Sequence, residues 1–116
     1  MFHCNGWCHT WAITAAGGTH VCLDRVDPTL ILQALHEQKI THFSCAPVVL
    51  YMLLGHPAIE NFQPTRRVTV AKGGASQTSR LIENMEKLDF DFVHIYGLTE
   101  SFGLTSLRLL VNLRRS

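Results

Sequence analysis

The chain has 116 residues, enough for one domain at most, and its 47% of apolar and 16% of charged residues favour a packed core over disorder. Its net charge of +1 gives no broad electrostatic field that would attract nucleic acid or a membrane surface. The chain also has no apolar stretch long enough to predict a transmembrane segment.

The first third of the chain predicts two helices and a strand. Apolar residues at helical spacing predict a helix over residues 6–16, with Asn5 as its N-cap. A short β-branched run over residues 19–23 predicts a strand. An aspartate followed by a proline at residues 27–28 is a cap and a first helical position, which predicts a second helix that ends near Lys39.

The remaining elements continue the alternation of helices and strands. A strand is predicted over residues 42–46, and the helix over residues 47–54 is apolar nearly all round, so we expect it to be buried on most sides. Two further strands, over residues 67–71 and 91–95, enclose a helix over residues 77–88. This order predicts an α/β fold, a mostly parallel sheet flanked by helices and joined by right-handed crossovers.

Residues 104–116 depart from this alternation. Leucine and valine are interspersed with arginine and asparagine there, which predicts a short amphipathic helix with no obvious place in the α/β pattern. We therefore divide the chain into a domain over residues 1–103 and a divergent tail over residues 104–116.

Polar residues are concentrated where two of the predicted parallel strands end, at one edge of the sheet. Residues 72–76 form a glycine turn whose amides can approach a base or an anion. In the stretch 96–100, Tyr96 can stack on a base, Thr99 can donate to a phosphate oxygen and Glu100 can bind a hard cation such as Mg²⁺. These residues predict a nucleotide site or part of one.

Each motif also has a purely structural interpretation. The glycine turn can be a tight connection into a helix capped by Ser76, and neither a Walker A nor a GxGxxG pattern is present. Thr99 can be a helix cap with Glu100 in the first turn. Zinc is disfavoured because the cluster of zinc-ligating residue types near the N-terminus lacks a second pair downstream: His3, Cys4, Cys8 and His9. We interpret the cysteines as reduced thiols of a cytoplasmic protein.

Three segments, in this order, resemble the adenylate-forming (AMP-binding) superfamily: Met-Phe-His-Cys-Asn-Gly-Trp, Val-Ala-Lys-Gly-Gly-Ala and Tyr-Gly-Leu-Thr-Glu. The likeness covers residues 1–103 and is greatest to fatty-acyl-CoA synthetases of the short- or medium-chain type. It implies an internal fragment of the larger N-terminal domain of such an enzyme. It also implies ATP or AMP, Mg²⁺ and coenzyme A as cofactors or substrates, and a fatty acid that is activated as acyl-AMP before transfer to coenzyme A.

The resemblance also implies a role for individual residues. His3 would lie beside the acyl channel and the reacting carboxylate, Thr99 would bond the α-phosphate and Glu100 would bind Mg²⁺, which makes these three the catalytic candidates and Glu100 the metal ligand. The implied nucleotide-binding residues are Gly73, Gly74, Ala75, Tyr96, Gly97 and Thr99, with adenine stacked on Tyr96.

The chain departs from the family pattern in ways that bear on activity. No segment matches the family's phosphate loop, its ribose-binding aspartate or its C-terminal domain with the catalytic lysine, and Lys72 stands where a small residue is usual. We therefore expect a fragment that lacks the remainder of its own domain and is inactive alone. The alternatives are a residual adenine-nucleotide-binding or interaction module, and a truncated gene product without activity.

Overall fold

The computed structural model describes residues 3–74 and 78–109, and it has the predicted α/β architecture. No helix in these ranges is long and apolar enough to cross a membrane. The helices are α1 (His3–Trp7), α2 (His9–Ala15), α3 (Pro28–Glu37), α4 (Pro47–Leu54) and α5 (Ser79–Glu86), with 3₁₀ helices at Pro57–Asn61 and Thr99–Ser101. The strands are β1 (His42–Cys45), β2 (Val68–Lys72), β3 (Phe90–Leu98) and β4 (Gly103–Leu109).

The four strands form one sheet in the order β1-β2-β3-β4. β1, β2 and β3 are parallel, and β4 runs antiparallel to β3. The prediction of a mostly parallel sheet is therefore confirmed. Because the three parallel strands point the same way, their carboxyl ends, near Cys45, Lys72 and Leu98, lie along one side of the sheet, which we call the carboxyl edge.

A single hydrophobic core joins one face of β2 and β3 to three helices. Val68 and Val70 of β2 and Phe90 of β3 are fully buried, and Phe90 stacks on Phe62 and meets Phe43 edge-on. The helix residues that complete this core are Leu32 and Leu35 of α3, Leu50 and Leu53 of α4, and Leu81 and Met85 of α5. The three helices therefore support the strands whose ends form the carboxyl edge.

The N-terminal caps predicted for α3 and α5 are partly confirmed. The Asp27 side chain caps α3 as predicted and accepts hydrogen bonds from the amides of Thr29 (2.9 Å) and Leu30 (3.4 Å). The predicted cap of α5 is wrong. The helix begins at Ser79, and Thr78 is its N-cap, with a hydroxyl that accepts from the Leu81 amide at 3.3 Å. The predicted cap, Ser76, lies outside the described residues.

The predicted N-terminal helix is divided into two short helices at Cys8. Thr10 donates its hydroxyl to the Gly6 carbonyl at 2.7 Å, the kind of side-chain bond that bends helices, and Asn5 lies inside α1 rather than capping a helix. The predicted strand over residues 19–23 is also wrong, because these residues have no pairing partner in the sheet and remain exposed. A β-branched run without a neighbouring strand has nothing to pair with.

Helix α4 is not buried on most sides. Leu50 and Leu53 are fully buried, whereas Val48 is 61% exposed and Tyr51 is 49% exposed. Only one stripe of this helix reaches the core of the described chain. The prediction made from the apolar sequence of α4 therefore overestimated the burial of this helix.

The tail is a strand, not a helix, as far as residue 109. It forms β4, which pairs with β3 from Val93↔Leu109 to Leu98↔Gly103, and residues 110–116 lie outside the described ranges. β3 extends three residues past its predicted end at Ile95 and so offers an edge for this pairing. The alternation Leu107-Arg108-Leu109 has the period of two that is typical of strands. The division of the chain at residue 103 stays a prediction, although β4 belongs to the same sheet.

Candidate active site

The glycine turn after β2 lies alongside the end of β3. The last pair of the parallel register is Lys72↔His94, which places Gly73 beside Ile95. A β carbon built on Gly73 would lie 3.4 Å from Cγ1 and 3.6 Å from the carbonyl oxygen of Ile95, which is ordinary van der Waals contact. Gly74 follows with φ of +89°, a left-handed conformation that favours glycine, and has open space where its β carbon would be. Ala75 lies outside the described residues.

The stretch from Tyr96 to Glu100 presents its side chains to solvent at the carboxyl edge. Tyr96 is 55% exposed and is a strand residue, since β3 runs on to Leu98. Thr99 and Glu100 are the first residues of the 3₁₀ helix Thr99–Ser101, and both are exposed. The aromatic face, the hydroxyl and the carboxylate are thus accessible to a ligand at one edge. The structural interpretation of Thr99 as a cap is wrong, because Leu98 holds that position.

Gly97 allows β4 to approach β3. A β carbon on Gly97 would overlap the carbonyl oxygen of Gly103 and would lie 3.1 Å from Cα of Leu104. The pairing register shifts at this point, from Tyr96↔Ser106 to Gly97↔Leu104, which leaves Thr105 as an extra residue on β4. The glycine therefore has a structural role in the strand pairing that holds the neighbouring Tyr96.

Ser101 is a residue that the sequence analysis missed. Its hydroxyl oxygen accepts from the Leu98 amide at 3.0 Å and lies 2.8 Å and 2.9 Å from the carbonyl oxygens of Leu98 and Gly103. With one proton, the hydroxyl donates to one of these carbonyls at a time. It closes the turn that carries Thr99 and Glu100. A serine in the first turn of a helix that reaches back to the preceding amide is the signal that could have revealed it.

The N-terminal segment reaches the same edge. His3 lies in α1, is exposed, and its ring meets that of Trp7 edge-on with centroids 6.1 Å apart. At the junction of α1 and α2, the Cys8 thiol donates to the Phe102 carbonyl at 3.6 Å. A β carbon on Gly103 would lie 3.1 Å from the Cys8 sulfur. The α1–α2 junction therefore rests on the turn that follows Glu100.

Lys72 is at the carboxyl edge but belongs to the core. The residue is 2% exposed, and its Nζ lies 5.0 Å from the ring centroid of Phe92. Burial lowers the pKa of Lys72 below its usual 10.5, and the nearby charge of Glu86 partly opposes this. The side chain shares the buried face of β2 with Val68 and Val70. This position sets Lys72 apart from the exposed groups of the candidate site.

We expect Lys72→Met to raise the free energy of unfolding at pH 7, because burial disfavours the charged amine. In the wild-type chain the pKa of Lys72 is lower folded than unfolded, so the unfolded state binds more protons and stability rises as the pH increases towards 10.5. The methionine variant should lack this rise. Urea unfolding between pH 7 and 10 measures both effects, with the exposed Lys87→Met as control. Equal pH slopes in wild type and Lys72→Met would contradict the expectation.

Glu100 is the predicted metal ligand of this edge, and its carboxylate is exposed. The described part of the chain contains no group of three or more His, Cys, Asp and Glu side chains that could hold a metal ion. Magnesium needs no such group, since it is commonly bound by one or two carboxylates together with substrate phosphates and waters. An exposed carboxylate such as that of Glu100 would fit this donor set beside a bound phosphate. Cys45, the last residue of β1, also lies at this edge. Burial raises the pKa of its thiol to about 12, so this thiol stays protonated.

The sequence profile of AMP-binding enzymes matches residues 1–115 of the chain. The chain belongs to the AMP-binding enzyme family. This confirms the resemblance found in the sequence.

Two of the curated relatives of the chain are CoA ligases of plants. The chain is 42% identical over 103 residues to the peroxisomal butyrate–CoA ligase of Arabidopsis thaliana, covering 89% of this chain and 18% of that protein. It is 43% identical over 105 residues to the peroxisomal trans-cinnamate:CoA ligase of Petunia hybrida, covering 90% of this chain and 18% of that protein. The chain therefore spans less than a fifth of the length of these AMP-binding relatives.

Solved structures of the same type confirm the fold. The N-terminal domain of FACL13 from Mycobacterium tuberculosis superposes with a TM-score of 0.78 at 23% identity, covering 84% of this chain and 25% of that chain. An amide bond synthetase, McbA from Marinactinospora thermotolerans, superposes with a TM-score of 0.66 at 30% identity, covering 82% of this chain and 19% of that chain. The region that matches this chain is thus part of a longer chain in both neighbours.

Proposed function

We propose that the chain is a fragment of an ATP-dependent fatty-acid–CoA ligase and that its carboxyl edge forms the nucleotide part of the site. The observation that carries this proposal is the convergence of three segments at one edge: the α1–α2 junction, the glycine turn after β2, and the exposed side chains of Tyr96, Thr99 and Glu100. The CoA ligases among the relatives support a carboxylic acid and coenzyme A as the other substrates.

In this reaction the acid's carboxylate attacks the α-phosphate of ATP, giving acyl-AMP and pyrophosphate, and the thiol of coenzyme A then displaces AMP. Tyr96 would stack on adenine, worth about 1–3 kcal/mol by comparison with nucleic-acid stacking. Thr99 would donate to the α-phosphate, worth about 1.5–3 kcal/mol for a bond to a charged group. Glu100 would hold Mg²⁺, which when bound offsets charge on the phosphate. Gly73, Gly74 and Ala75 would line the adenine and acyl pocket.

The remaining parts of the proposal concern what the fragment does alone. Since the chain spans 18% of its ligase relatives, we propose that it does not complete the reaction by itself. A residual adenine-nucleotide-binding module is the alternative, because the edge that would hold adenine is present. His3 beside the reacting carboxylate and a cytoplasmic location stay predictions; the two ligases compared above are named peroxisomal.

Titration of the purified chain with a non-hydrolysable acyl-adenylate analogue tests the proposal by calorimetry. We expect saturable binding that Tyr96→Ala weakens about 10- to 100-fold, the equivalent of one stacked base. Tyr51→Ala is the matched control, since Tyr51 is exposed to a similar degree on the outer face of α4. Absence of saturable binding rejects a nucleotide site in this chain, and an equal loss in both variants rejects Tyr96 as the adenine platform.

Pyrophosphate release from ATP and octanoate tests the competence of the fragment. We expect no release above background from the purified chain, because less than a fifth of a ligase of this family is present. Sustained release that depends on both substrates would overturn the proposal that the fragment is inactive alone.

A further inference from the structure

The junction between α1 and α2 is held to the sheet at two places. Cys8 contacts the turn before β4 through the Phe102 carbonyl and Gly103. His9, the next residue, has its Nδ1 atom 3.2 Å from Oγ of Ser44 in β1. In the sheet order, β2 lies between β1 and β3. Residues 8 and 9 therefore connect the turn before β4 with β1, the strand on the other side of β2.

The chain after this junction is exposed to solvent. All residues from 11 to 26 are exposed, including Trp11 at 73%. The exposed part of α2 buries no apolar face that would fix its orientation. Contacts near residues 8–10 thus contribute to the position of α1.

The contact between His9 and Ser44 is suited to holding the α1–α2 junction against the sheet. The same Nδ1 atom lies 3.3 Å from Oδ1 of Asn5, but a ring nitrogen carries either one proton or one lone pair. The Ser44 hydroxyl can accept from the proton or donate to the lone pair, so it bonds His9 in either tautomer. The contact between His9 and Ser44 is also partly buried and joins residues 35 positions apart, whereas the contact between His9 and Asn5 is exposed and local.

We propose that His9 and Ser44 are positioning residues that fix the α1–α2 junction, and α1 with it, against the sheet. Their hydrogen bond sets where His3 and the α1–α2 junction lie relative to the turn of residues 73–74 and the stretch 96–100. The consequence for an acyl-adenylate rests on the proposed function, but the placement of α1 does not.

Hydrogen–deuterium exchange of the full chain, followed by mass spectrometry, tests the placement. In Ser44→Ala, the peptide that spans α1 and α2 should exchange about three- to tenfold faster, as expected for the loss of one hydrogen bond. Ser44→Thr keeps the hydroxyl and suits a strand, so it should restore slow exchange. His9→Ala should match Ser44→Ala, and the double variant should add nothing further. Peptides from β2 and β3 should exchange as in the wild type, which shows that the sheet is intact.

Unchanged exchange in Ser44→Ala, or additive effects of the two alanine substitutions, would overturn the proposal. Titration with the acyl-adenylate analogue gives the second readout: affinity should fall about three- to tenfold in Ser44→Ala and recover in Ser44→Thr. Faster exchange with unchanged affinity refutes a positioning role towards the ligand. If the wild-type chain binds no analogue, the proposed function fails, and the exchange data still decide whether this contact places α1.

Discussion

Replacing Gly97 with alanine is expected to lower the free energy of unfolding by roughly 2–4 kcal/mol, because the added methyl group has no space. It would overlap the carbonyl oxygen of Gly103 and crowd the Leu104 backbone, and neither can rotate away as a side chain could. The strands must separate locally, which also removes the hydrogen bond from Thr105 Oγ1 to the Tyr96 carbonyl at 3.2 Å. Urea unfolding measures the loss, and binding of the acyl-adenylate analogue should disappear with it.

Gly17→Ala is the matched control for this prediction. Gly17 has φ of +70° but nothing within 4 Å of a built β carbon, so alanine there meets only the cost of a left-handed backbone, about 1–2 kcal/mol. The comparison separates steric overlap at Gly97 from the general effect of replacing glycine. If Gly97→Ala costs no more than Gly17→Ala, the close approach of β4 to β3 is wrong.

Replacing Glu100 with glutamine is expected to abolish magnesium dependence in a full-length ligase that carries this segment. The amide keeps the shape of the side chain but removes the negative charge with which a carboxylate binds a hard cation. Metal ions contribute several kcal/mol to the stabilisation of charge on a transferring phosphoryl group, so adenylate formation should slow roughly 100-fold or more. Pyrophosphate release measured across a range of magnesium concentrations reports both effects.

Glu60→Gln provides the control for the metal prediction. Like Glu100, Glu60 is exposed and lies in the first turn of a 3₁₀ helix, but it belongs to Pro57–Asn61, which joins α4 to β2. Its replacement should leave the magnesium response unchanged. A variant Glu100→Gln that retains the wild-type magnesium response would show that this carboxylate is not the metal ligand.

Local sequence signals predicted the elements whose determinants lie within a few residues. Asp27 and Pro28 mark the start of α3, and the side-chain cap forms as expected. The alternation of Val68 and Val70 with polar residues predicted β2. The residues of the candidate site were also found from sequence, since glycine, aromatic, hydroxyl and carboxyl groups at strand ends are visible without coordinates. Their roles in catalysis and binding stay predictions.

Errors arose where a distant segment determines the outcome. The tail has mixed periodicity, and it became a strand because β3 extends to Leu98 and pairs with it. The β-branched run at residues 19–23 has strand propensity but no partner strand in the described sheet. The apolar surface of α4 exceeds what the core of the described residues covers. Propensity and periodicity report what a segment can do, and pairing partners decide which option is realised.

By itself the sequence determined the family, the α/β class and the identity of the groups that could hold a nucleotide, because short motifs and caps act over a few neighbouring residues. Only the tertiary structure decided that Gly97 must accommodate Gly103, that Ser101 closes the turn carrying Glu100, and that His9 meets Ser44. The strand pairing at Gly97 and the contact of His9 with Ser44 depend on how separate segments pack against each other. Interatomic distances of about 3 Å across the sheet follow from strand register and helix docking, which no local pattern encodes.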